Sequence, residues 1–153
     1  MMLEQGFAHI AQALLWPVLI LVTCSFVYSL WVAGATLMEA LQRRKPGYRA
    51  LAGHQDKADE EIELHVLHQL EPLRLLGRVS PLLGLIATMV PLGPALQSVA
   101  AGQGQQALAV FSSAFAGVVL ALAAAAIGLV AYSFKRRWLM AELVSIRATR
   151  GAV

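Results

Sequence analysis

Few side chains in this chain have the type and spacing to do chemistry. His65 and His68 stand three apart, so one metal ion is within reach of both, with Glu61 or His54 as a neighbouring third ligand. The single cysteine, Cys24, lies inside an apolar run, has no disulfide partner and reads as a small packing or lipid-facing residue. Two histidines without an assured third ligand are more often solvated surface residues, so neither a metal site nor a cofactor is assigned. A Gly-rich phosphate loop, a nucleophile elbow and an acid/base pair are all missing from the pattern, which argues against an enzyme. What remains is hydroxyls within apolar surroundings, above all Thr88 near the middle of the second apolar run, with Ser112 and Ser113 further along it. In hydrocarbon a hydroxyl either returns its hydrogen bond to a carbonyl one turn back, Gly84 in the case of Thr88, or hydrates an ion path.

The elements that position these groups follow from where charge is absent. Of 153 residues, 58% are hydrophobic and 14% charged, against about 25% charged in an average soluble domain. No Asp, Glu, Lys or Arg occurs at 5–38 or at 79–134. A hydrocarbon core about 30 Å thick needs about 20 apolar helical residues, so the first stretch holds one transmembrane helix and the second holds two with a turn. The expected architecture is all-α, a polytopic membrane protein with spans at about 11–35, 79–100 and 106–134. Trp16, Tyr28 and Trp31 lie towards the ends of the first span, where interfacial rings belong. The +3 charge does not point to nucleic acid, because all twelve Lys and Arg residues sit in two segments beside apolar runs. The clusters Arg43, Arg44, Lys45 and Lys135, Arg136, Arg137 therefore place 39–78 and the tail 135–153 in the cytoplasm and the N-terminus outside. A cleaved signal peptide is disfavoured, since the positive cluster follows the apolar run and Glu4 precedes it.

Within the polar segment a Pro46-Gly47 break precedes an acidic helix start at Asp56, Asp59, Glu60, Glu61 and Glu63. Ile62, Val66, Leu70 and Leu73 then recur on one face. This amphipathic helix is expected to run on, bent at Pro72, into the second span. Pro81, Gly84, Pro91, Gly93 and Pro94 make that span unlike a lipid-facing helix, and its loosened carbonyls call for an interior surface. Ala101-Gly102-Gln103-Gly104-Gln105 reads as a tight outer hairpin. In the third span, Ala114, Gly117, Ala121, Ala125, Gly128 and Tyr132 recur at three and four residues, a stripe that lets another helix approach closely and that predicts a homo-oligomer.

Taken together, the pattern resembles the MotA/TolQ/ExbB proton-channel family, nearest its short, three-span TolQ and ExbB-like branch. Ser80-Pro81-Leu82-Leu83-Gly84-Leu85-Ile86-Ala87-Thr88 looks like that family's Pro-x-x-Gly-Leu-x-Gly/Ala-Thr core, preceded by an amphipathic helix ending at Arg74 to Arg78. Ala114 to Tyr132 is similar to the family's third span. Two positions depart from the pattern, Ser113 where many members have Glu and Val118 where many have a second Thr. The short cytoplasmic segment argues against a four-span flagellar stator of the MotA type. The resemblance implies an ion-driven motor subunit in the inner membrane: a ring of five copies around a single-span partner of the ExbD, TolR or MotB kind, coupling an ion gradient to work on the outer side. Thr88, Ser112 and Ser113 would then line the ion path, and Gly84, Gly117, Ala121, Ala125 and Gly128 would pack helices. With no ionisable residue inside any span except His9 at a rim, the relay carboxylate must come from the partner. The alternative is a structural scaffold or transporter subunit without an ion path of its own.

Overall fold

A computed structural model of the protein describes residues 2–44, 50–51 and 59–151. Lys45, the Pro46-Gly47 break, His54 and Asp56 lie outside the described residues. Three helices make up the fold: α1 (Met2–Gln42), α2 (Asp59–Ala100) and α3 (Gly104–Gly151). Each contains a stretch long and apolar enough to cross a membrane, so the architecture is that of a polytopic helical membrane protein. Side chains such as Ile20, Leu82, Met89, Phe115 and Val130 are exposed along these stretches, as lipid-facing surface should be.

The three helices alternate in direction, with α1 and α3 parallel and α2 antiparallel to both. Contacts of Val18 and Val22 with Leu83, Ile86, Ala87 and Ala121 fix one level of the bundle, and Val32 with Leu73 and Ala131 fixes another. The hairpin between α2 and α3 is shorter than the sequence suggests, because Gly104 and Gln105 already belong to α3. Gly102 adopts φ +76°, where a Cβ is disfavoured. From there Gly102 N–H donates to Val99 O at 3.0 Å and Gln103 N–H to Ser98 O at 2.9 Å, the paired bonds that close a helix C-terminus on a left-handed glycine. The Gln103 carbonyl then accepts from Gln106 and Ala107, which starts α3.

Helix α2 runs unbroken through Pro72, Pro81, Pro91 and Pro94, so the amphipathic segment and the second span are one element. Tertiary packing outweighs the hydrogen bond that each proline removes. Its stripe Ile62, Val66 and Leu70 packs with Leu51 against Leu139, Leu143 and Ile146. These last three lie in what the sequence presents as a short tail, yet α3 continues through them to Gly151. The α2–α3 pair therefore extends well beyond the charge-free stretches as a helical hairpin with a core of its own, tied further by Arg147 Nη2 to Glu63 Oε2 at 2.8 Å.

Candidate functional site

The seam between α2 and α3 is built from small residues. A Cβ added at Gly84 would stand 2.8 Å from Ala121 Cβ and 3.5 Å from Val118 Cα, and one at Gly117 would touch Ala87 and Leu19. At Gly128 it would meet the Leu76 side chain at 2.9 Å. Ala125 is buried beside Ala121 and Ala124. The small-residue stripe thus faces α1 and α2 of the same chain, which corrects its reading as a contact between copies. Two antiparallel spans joined by a three-residue turn must bury their closest-packing faces on each other first. Any oligomer contact has to use another face.

Thr88 is half-buried one turn beyond Gly84. Its hydroxyl donates to Leu85 O at 2.8 Å, with a longer approach of 3.4 Å to Gly84 O, so the main acceptor is the carbonyl three residues back. Helix α1 covers the α2 edge that carries Leu83 and Ile86. At 100° per residue, Thr88 falls on the opposite edge, as does Val118 across the seam on α3. Thr88 therefore sits on the flank of the α2–α3 pair that α1 leaves uncovered.

Ser112 and Ser113 are not brought to it. Both are exposed, and Ser113 Oγ donates to Val110 O at 2.9 Å. Ser113 falls on the α1 side of α3 and Ser112 points away from the seam. From the Gly84–Ala121 register both lie about one turn nearer the hairpin than Thr88. The residue of α3 that flanks Thr88 is Val118, which offers no hydrogen bond. The hydroxyl of Thr88 is thus the polar group of this flank at that depth.

His65 Nε2 is 3.2 Å from Gln69 Nε2, and His68 Nδ1 is 3.9 Å from Glu71 Oε2. Among the described residues no three metal-ligating side chains converge. His9 is exposed at the hairpin end.

Sequence reasoning missed a charged cluster at the opposite, basic end. Arg43 donates to Glu142 Oε1 at 2.6 Å and to Glu39 Oε1 at 2.9 Å, and its guanidinium lies 5.0 Å from the Trp138 ring centre. Glu142 also accepts from the Ala50 and Leu51 backbone N–H groups. Lys135 Nζ stands 3.7 Å from Glu39 Oε2. The i,i+4 pair Glu39–Arg43 is legible in the sequence, whereas the return of residues 50–51 onto α3 is not. Two buried hydroxyls, Thr36 Oγ1 and Ser80 Oγ, have no hydrogen-bond partner among the described residues.

Comparison with protein-family models, with curated proteins and with solved structures gives no match to this chain.

Proposed function

We propose that the chain is a subunit of an ion-driven motor that assembles as a ring and encloses a single-span partner against the α2–α3 flank. The observation that carries this reading is the position of Thr88, a hydroxyl on the flank left uncovered by α1, in a stretch without a charged residue. A partner carboxylate at that depth needs donors, because leaving it bare costs several kcal/mol. The Thr88 hydroxyl can turn from the Leu85 carbonyl to such a group at the cost of one neutral hydrogen bond, about 1 kcal/mol. The motif from Ser80 to Thr88 and its likeness to the proton-channel family add to this support. In the same reading the basic end, with Arg43 and Lys135 to Arg137, lies in the cytoplasm and the hairpin lies outside.

A scaffold without an ion path is the second reading. It is favoured by the short Thr88-to-Leu85 bond, which already satisfies the hydroxyl, and by Val118 in place of a second hydroxyl. Ion flux in vesicles reconstituted with the partner separates the two. Thr88→Val removes one hydroxyl at nearly constant volume and should abolish gradient-dependent flux with assembly intact, while Thr88→Ser keeps most of it. Full flux in the Val variant leaves the scaffold.

A further inference from the structure

At the basic end of the same uncovered flank, Leu70, Glu71, Arg74, Tyr132, Arg136 and Met140 surround a cavity of about 540 Å³ between α2 and α3. Its depth follows from the sequence. Arg74 lies about one turn outside the charge-free stretch that begins after Arg78, and Arg136 lies just past the one that ends at Phe134. The cavity is therefore level with the polar surface of a bilayer whose hydrocarbon the spans cross. Neither guanidinium has an acidic partner within ion-pair distance among the described residues, unlike Arg43 and Arg147. The Tyr132 phenol also makes no hydrogen bond there, although the residue is half-buried. Glu71 lines the rim, 64% exposed and 3.9 Å from His68. Two guanidiniums against one largely solvated carboxylate leave the cavity a net positive charge.

We propose that this cavity holds the head group of an anionic phospholipid, which, since the ring of the proposed function turns this flank inward, is a lipid enclosed beside the partner's span. Its phosphodiester lies between Arg74 and Arg136, and the glycerol backbone rests on Leu70, Tyr132 and Met140. Guanidiniums bind phosphate oxygens through paired N–H groups, and basic recesses between spanning helices suit such head groups. Two features favour a lipid over a free anion: the space far exceeds a phosphate ion, and about half of the wall is apolar, which a free anion would leave in contact with water. The positive balance favours a net-negative head group over a zwitterionic one, and Glu71 limits the strength of that preference.

The test uses the full chain, extracted from vesicles of equimolar phosphatidylglycerol and phosphatidylcholine into mild detergent, with retained lipid read from the intact mass. Wild type should retain phosphatidylglycerol in preference. Arg74→Gln with Arg136→Gln should lower that retention by at least about tenfold, since each of the two charge-assisted contacts removed is worth about that much. Glu71→Gln should raise it. Arg137→Gln, on an exposed position outside the cavity, should leave it unchanged, and equal helix content by circular dichroism checks folding. Retention by the double variant equal to wild type overturns the site. Displacement of the lipid by millimolar inorganic phosphate overturns the choice of a lipid over a free anion, and equal retention of the two lipids overturns the charge argument.

Discussion

Replacing Gly84 with alanine tests the seam on which every position above depends. The added methyl would stand 2.8 Å from Ala121 Cβ, where ordinary contact begins at 3.4 Å. Ala121 Cβ cannot rotate away, because it is fixed to the α3 backbone, and Val118 Cα closes the other side at 3.5 Å. The two helices must therefore separate locally by about 0.6 Å, which loosens close contacts along the seam. Overpacking of this kind costs about 1–3 kcal/mol, while the better helix propensity of alanine returns up to about 1 kcal/mol. A net loss of about 1–2 kcal/mol is expected in reversible unfolding from mixed micelles. Gly93→Ala is the control: nothing lies within 4 Å of its added Cβ, so that variant should lose no stability. The reciprocal change Ala121→Gly reopens the space, and the double-mutant cycle should give a coupling of at least about 1 kcal/mol. A Gly84→Ala protein as stable as wild type, or a cycle with no coupling, would refute the register of α2 against α3.

Ser80→Ala removes a hydroxyl from a residue only 1% exposed whose oxygen has no partner among the described residues; stability should hold or rise by up to about 1 kcal/mol. A clear loss in the same unfolding assay would mean that the hydroxyl gains a partner on assembly. Glu142→Ala deprives Arg43 of a carboxylate partner and leaves the Ala50 and Leu51 N–H groups without their acceptor. It should cost about 2 kcal/mol and speed proteolysis between α1 and α2, and unchanged proteolysis would show that the clamp does not hold that segment.

Much of the fold is legible without coordinates because charge marks what a bilayer excludes. The charge-free stretches at 5–38 and 79–134 announce three spans, and the spacing of Ile62, Val66 and Leu70 announces a buried face on the helix before the second. What covers that face is not announced. Leu139, Leu143 and Ile146 share the same four-and-three spacing, but a basic cluster at Lys135 to Arg137 looks like an end, and only the pairing with α2 shows the helix continuing. The prolines of α2 do not end it: the helix persists through all four, as the run-on from the amphipathic segment into the second span requires. The stripe at Gly117, Ala121 and Gly128 signals close approach correctly and its partner ambiguously. A small-residue pattern carries no information on whether the neighbouring helix belongs to the same chain. For the candidate site, Thr88 is legible as the hydroxyl near the middle of the second span, while its separation from Ser112 and Ser113 depends on helix rotation, which single residues do not encode.

The proposed function requires this chain to work as an assembly around a partner that supplies an intramembrane carboxylate. The most direct measurement is the intact mass of the complex taken from its native membrane in mild detergent, with each component then identified. A mass corresponding to several 16.4 kDa chains plus a smaller single-span protein carrying an acidic residue in its span is the result predicted. A chain recovered alone as a monomer, under conditions where its helix content is retained, would contradict it.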